Sequence, residues 1–231
     1  MSVTKGSGGS TDDAVALATP AKGDVDFTFR VQILGGEEVG KTSFLMKATG
    51  LECPGRKPRK QPSEFETVVE IDGKRAKIIL FDMLPRRGGD VFRKNVHYKK
   101  IHGVMLLADI SRPDSHTSIL NFYWHVKTRN KGGIPFLALG TKYDLKEKRK
   151  WSKKEAKEEC ECGDIRYVEI CSKSGRNVDG ALKLLVRNMI SWAIKHRVTY
   201  ETGEVGNDPT QNEALNEFED SGEGGGCCVI A

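Results

Sequence analysis

The stretch Gly35-Gly36-Glu37-Glu38-Val39-Gly40-Lys41-Thr42 satisfies G-x-x-x-x-G-K-[ST] in full. Glycines at these positions let the backbone curl until successive N–H groups face a polyanion. A helix opening at Lys41 would add the positive end of its dipole. In such a loop Lys41 reaches the β and γ phosphates of a nucleotide and Thr42 offers its hydroxyl to Mg²⁺. Ser43, beside them, is a further nucleotide-binding candidate. Glu37 and Glu38 occupy variable positions, where backbone amides rather than side chains make the contacts, so binding survives them. Two carboxylates near a γ-phosphate still repel it unless a cation screens them. Binding is therefore expected, but weakened. The other reading, a glycine-rich turn with a chance lysine, gives no reason for the complete motif.

Hydrophobic patterning supplies the elements that must hold this loop. Strands are expected over 27–34, 65–71, 76–82, 103–110, 134–140 and 167–171, and helices over 41–48, 91–100, 115–127, 153–162 and 178–196. Asp72-Gly73 joins two strands as a tight hairpin does. Helices separate the other strands, which implies parallel crossovers and a sheet covered on both faces. "VMLLAD" and "FLALG" are almost continuously apolar, as strands buried on both faces should be. The expectation is an α/β fold, mostly parallel, with one antiparallel edge strand. Ligands of such sheets sit at the carboxyl ends of the strands, where every motif named here falls.

"LALGTKYDL" follows one of those buried strands, and Thr141-Lys142-Tyr143-Asp144 resembles the [NT]-K-x-D motif of guanine-nucleotide proteins. Reading guanine needs an acceptor-only carboxylate facing its ring N–H and amino group, which adenine lacks. Asp144 suits that role, and Lys142 can lay its stem along the base. Together with the phosphate loop upstream, these residues resemble a Ras-superfamily small GTPase over about 27–197. "VVEIDGKRAKIILFD", "GVMLLADISRPDS" and "GTKYDL" look most like the Rab branch, with the septation-initiation GTPases, which also use T-K-Y-D, a near second. "EICSKSG" resembles the family's E-T-S-A-K loop. By position that places Cys171 and Ser172 at the base, the Ser172 N–H on the guanine carbonyl, and Lys173 on the other face. The resemblance implies a six-stranded sheet with five helices, GTP or GDP with Mg²⁺, and effectors, an exchange factor and a GAP reading two mobile switches. An adenine-specific kinase or ATPase on the same loop conflicts with Asp144 and lacks a catalytic base.

The departures fall on the switches. Where the family carries D-T-A-G-Q, this chain reads Asp82-Met83-Leu84-Pro85-Arg86. Asp82 can hold Mg²⁺ through water. Pro85 has no N–H for a γ-phosphate. Arg86 stands at the position of the water-orienting glutamine and cannot accept a hydrogen bond from water. No catalytic residue is therefore assigned, and hydrolysis should be slow or absent. "GLECPGRKPRKQPSEFE" has no threonine for the first switch, and counting back from Asp72-Gly73 lands near 59–61, off register with Ser63. Arg56, Lys57, Arg59 and Lys60 would neutralise phosphate charge there with Arg86, or are simply solvated.

The chain has 231 residues, and its composition, 38% hydrophobic and 30% charged, is that of a soluble protein with one domain of about 170 residues plus tails. No apolar run approaches the roughly 18 to 20 residues that span a bilayer. No secretory signal opens the sequence, and Ser2 excludes myristoylation. Residues 1–25 read as a flexible leader, 26–197 as the nucleotide domain, and 198–231 as an acidic, Gly-rich tail. The tail holds eight acidic residues and no Lys or Arg, so a net charge of +5 conceals a body of +13. The basic residues are scattered without aromatic interleaving, so nucleic acid is not the expected partner. Cys160 and Cys162 lack a second pair at metal spacing and read as surface thiols in a reducing compartment. Cys228-Val229-Ile230-Ala231 matches C-a-a-X, and Cys227 beside it makes a double-cysteine end. One lipid anchors marginally, and an acidic tail is repelled by anionic headgroups, so both cysteines are expected to carry lipid. That implies attachment to the cytosolic face of a membrane, and the resemblance implies a monomer served by a prenyl-binding chaperone. The competing reading is a scaffold that nucleotide only stabilises.

Overall fold

In the computed structural model, residues 25–51, 64–82, 101–130 and 132–196 are described. Six strands form one sheet: β1 (Phe27–Gly35), β2 (Glu64–Ile71), β3 (Lys74–Asp82), β4 (Gly103–Asp109), β5 (Phe136–Thr141) and β6 (Arg166–Glu169), in the order β2-β3-β1-β4-β5-β6. Every neighbouring pair is parallel except β2 with β3. That hairpin turns on Asp72 and Gly73, both left-handed at φ 52° and 73°. Two left-handed residues match the right-handed twist of the strands they join.

Burial explains the order. All seven residues of β4, GVMLLAD, are buried, because helices cover both faces of the central strands. Beneath one face, Phe29, Val31 and Ile33 of β1 pack with α1 (Lys41–Ala48) and α4 (Val178–Lys195). On the other, Leu34, Val104, Leu106 and Ala108 meet α2 (Thr117–Arg129) and α3 (Lys153–Glu161). Along α4, Ala181, Leu182, Leu185, Val186, Met189, Ile190 and Ala193 are buried at spacings of three and four, the stripe an amphipathic helix lays on a sheet. Truncating Leu185 to Ala there would cost about 2–5 kcal/mol.

Local chemistry sets the boundaries. A capping box starts α3: the Glu155 N–H donates to Ser152 Oγ at 3.0 Å, and the Ser152 N–H to the Glu155 carboxylate at 2.6 Å. Pro135 delays β5 to Phe136, since it lacks an N–H for the ladder. The helix expected over 115–127 is α2, which begins at Thr117. Ser115 is turned back toward the sheet, where its hydroxyl accepts the Asp109 N–H at 2.7 Å, and Pro113–Ser115 is a short 3-10 turn instead.

One reading needs correction. Cys160 is no surface thiol: it is 1% exposed among the side chains under α2 and α3. Burial, with the charge of Glu159 nearby, pushes that thiol up to about 12. The helical period put it on the inner face of α3, whereas Cys162 is exposed. Four of the five expected helices fall among the described residues. The stretch 91–100, residues 52–63 and 83–86 of the two switch stretches, and both chain ends lie outside them.

Candidate nucleotide site

β1 ends by pressing its backbone against β4. A Cβ on Gly35 would lie 2.5 Å from the Leu107 carbonyl oxygen, so only glycine fits. The chain then curls over Gly36–Val39 and enters α1 through Gly40, which is left-handed at φ 98°. Lys41 is buried, and its ammonium donates to the Gly35 carbonyl at 2.9 Å and the Gly36 carbonyl at 2.7 Å. These bonds fix the curl and place a positive charge within it. A single loop thereby presents amides and an ammonium to one anion.

Glu37 and Glu38 are exposed, and Val39 between them and Gly40 is buried. Arg112, just beyond β4, donates to the Glu37 carbonyl at 2.9 Å and lies 3.6 Å from the Glu38 carboxylate. The screening cation is thus on the β4 side of the loop. So exposed a pair contributes at most about 1 kcal/mol. The basic stretch 56–60 and Arg86, expected to do this, lie outside the described residues.

The base-reading motif leaves β5 at Thr141, which is 1% exposed. Its hydroxyl lies 2.7 Å from the Val39 carbonyl and 3.1 Å from that of Ala108. Thr141 therefore ties the phosphate loop to the base loop. Lys142 is left-handed at φ 60° and its ammonium is 2.7 Å from Asp109. Asp109 is buried at the end of β4, where one carboxylate oxygen also accepts the N–H and O–H of Ser111 at 2.8 and 2.7 Å. Burial would raise that carboxyl. Hydrogen bonds from Lys142 and Ser111 outweigh it and hold the group below its ordinary value.

Asp144 is exposed, with Cys171 Sγ 3.4 Å from its Oδ1. A thiol is a weak donor, so Cys171 orients the carboxylate without consuming its acceptor capacity. The Tyr143 N–H bonds the Ile170 carbonyl at 3.2 Å, and the Gly175 N–H closes the next turn on the Cys171 carbonyl at 2.8 Å. Ser172 on that turn is half-buried and Lys173 exposed. The sheet thus gathers Thr141, Lys142, Asp144 and Cys171 beside the phosphate loop.

Asp82 closes β3 next to β1, opposite Ile33. Both its carboxylate oxygens are buried without a hydrogen-bond partner among the described residues. Burial raises this carboxyl, and the charge of Lys41 only partly offsets that. Such an anion fits a cation. The Thr42 hydroxyl in the first turn of α1 would offer one hard oxygen donor, and Asp82 a second through water, a pair that suits Mg²⁺. Arg86, Cys227 and Cys228 lie outside the described residues.

Two residues of the site escaped the sequence reading, Asp109 and Arg112. Asp109 had a usable signal: a charge closing a continuously apolar strand, at the end of the sheet where ligands bind. Arg112 had none, since only the fold brings it to the loop.

A mostly parallel sheet with a phosphate loop after its first strand and a lysine–aspartate pair after its fifth defines a P-loop guanine-nucleotide fold. The model of the Ras family matches residues 30–191. The chain belongs to that family and, by its relatives, to the Rab branch. It is 29% identical to Ras-related protein Rab-13 of Mesocricetus auratus over 168 residues, covering 71% of this chain and 81% of that one. It is 28% identical to human Ras-related protein Rab-30 over 173 residues, covering 74% and 84%. It is 25% identical to Ras-related protein RABA5b of Arabidopsis thaliana over 169 residues, covering 72% and 76%.

Proposed function

We propose that the protein is a membrane-tethered, Rab-like guanine-nucleotide switch in vesicle traffic or signalling, with slow or impaired GTP hydrolysis. One observation carries the nucleotide reading. An exposed acceptor-only carboxylate, Asp144, stands on a loop that Thr141 ties directly to the phosphate loop. GTP or GDP is the ligand, and Mg²⁺, held by Thr42 and through water by Asp82, supplies charge neutralisation at the phosphates when bound. Slow turnover follows from sequence: Pro85 has no N–H for a γ-phosphate, and the Arg86 side chain cannot accept a hydrogen bond from the attacking water. Lipid on Cys227 and Cys228 supplies the membrane end, with effectors, an exchange factor, a GAP and a prenyl-binding chaperone as partners.

The same substitutions favour a second reading, a scaffold that binds nucleotide without cycling. Single-turnover GTP hydrolysis, with and without cell extract, separates the two. Acceleration by extract supports the switch. Equal, negligible rates in both support the scaffold.

A further inference from the structure

A cleft of about 480 Å³ opens beside the nucleotide site, between the start of α3, the outer edge of β6 and the turn that leads into α4. Its charge is one-sided. The carboxylate inside it, Glu169, is buried and already held by Arg149, whose two terminal nitrogens lie 2.7 and 3.0 Å from its two oxygens. The Tyr167 hydroxyl donates to the same group at 3.3 Å. Nearby Glu155 is engaged by the Ser152 N–H. That leaves Lys153, Lys157 and Arg176, all exposed on the cleft wall and none in an ion pair among the described residues. Arg176 lies over the Tyr143 ring, its guanidinium carbon 4.2 Å from the centroid. Stacking uses the face of the guanidinium and leaves its in-plane N–H donors available. Three cations around one opening call for a ligand with several carboxylates or phosphates.

The chain carries a complement of its own. Residues 198–231 hold eight acidic side chains and no basic one, five of them at Glu213, Glu217, Glu219, Asp220 and Glu223. The reach is right. α4 starts next to Asn177 of the cleft and runs 18 residues, about 27 Å, before the tail departs. Taken as a coil, the 17 residues from His196 to Glu213 have a root-mean-square span of about 23 Å. A tether matched to its gap gives effective concentrations of about millimolar, enough to fill a weak site.

We propose that this cleft is the docking site of the chain's own acidic tail, the carboxylates of 213–223 engaging Lys153, Lys157 and Arg176. The docked tail leans on the base loop, because the Arg176 carbonyl accepts the Cys171 N–H at 3.0 Å. It also keeps negative charge off the membrane to which the cysteine end is directed. The proposal stands independently of which nucleotide the neighbouring site takes.

Carbodiimide, which joins a carboxylate to an amine it touches, tests this on the full unlipidated chain, with cross-links mapped by mass spectrometry. Tail carboxylates should couple to Lys153 and Lys157. The yield should fall at least about threefold in ~0.5 M salt, where screening shortens to a few ångströms. Coupling should vanish in the variant E213Q/E217Q/E219Q/D220N/E223Q, whose backbone amide resonances at 153, 157 and 176 should move from their wild-type positions. Tail cross-links spread evenly over the lysines of the body would overturn the proposal, as would unmoved resonances. So would binding of the full chain to vesicles with ~30% anionic lipid that is abolished by K153E/K157E/R176E, which would assign the cleft to membrane headgroups.

Discussion

Replacing Thr141 with valine tests the joint between the two halves of the nucleotide site. The Thr141 side chain is 1% exposed, and its hydroxyl lies 2.7 Å from the Val39 carbonyl and 3.1 Å from that of Ala108. One hydroxyl proton serves one acceptor at a time, and the shorter contact is to the phosphate loop. Valine keeps the volume and the branched shape but has no proton to give. Stripping a buried carbonyl of a hydrogen bond costs about 1–3 kcal/mol. Because the bond holds the curl that faces the phosphates, most of that loss should appear as faster nucleotide release, about fivefold to a hundredfold. Stopped-flow release of a fluorescent GDP analogue measures the rate, and urea unfolding of the nucleotide-loaded protein measures the remainder. Thr141→Ser, which restores the hydroxyl, should return release to near wild type. Release within twofold of wild type, with an unchanged unfolding midpoint, would refute the joint.

Three further outcomes are expected. Asp109→Asn removes the charge that holds Lys142 at 2.7 Å. A charged hydrogen bond contributes about 1.5–3 kcal/mol, and since Lys142 is a third exposed the lower end applies, so GDP affinity by calorimetry should fall about tenfold. Unaltered affinity would show that Lys142 needs no support. Cys171→Ser gives Asp144 a stronger donor than the thiol now 3.4 Å away, one that competes with the base for its lone pairs, and should weaken guanine nucleotides by about threefold; equal or tighter binding would contradict the role of the weak donor. His102 accepts the Arg30 N–H at 2.8 Å, and burial, with the charge of Arg30, depresses its ring from 6.5 to about 4. The unfolded chain then binds the extra proton first. Stability should be whole above pH 6.5 and fall by about 3 kcal/mol as pH drops to 4, with His102→Asn showing a flatter profile in urea titrations.

Residues whose chemistry is local were legible in the sequence. The Gly35–Thr42 motif, the Asp72-Gly73 turn and the apolar runs of β4 and β5 each state their own conformation, and the structure places them accordingly. β5 starts two residues late at Pro135, and α2 two residues late past Ser115, because a missing N–H or a side chain turned to the backbone outweighs periodicity. The bond of Thr141 to the Val39 carbonyl was not legible, because it joins residues 102 positions apart. The Arg112–Glu38 contact was hidden for the same reason. Cys160 went astray because a cysteine in a charged helix says little until the helix has a partner to face.

The most direct measurement is the nucleotide content of the freshly purified full chain, followed by its affinities for guanosine and adenosine diphosphates with Mg²⁺ present. Bound guanine nucleotide at close to one per chain is the expected result, with adenosine diphosphate failing to displace it. A protein that emerges empty and binds the two diphosphates alike would contradict the reading of Asp144 and of the loop that Lys41 holds closed.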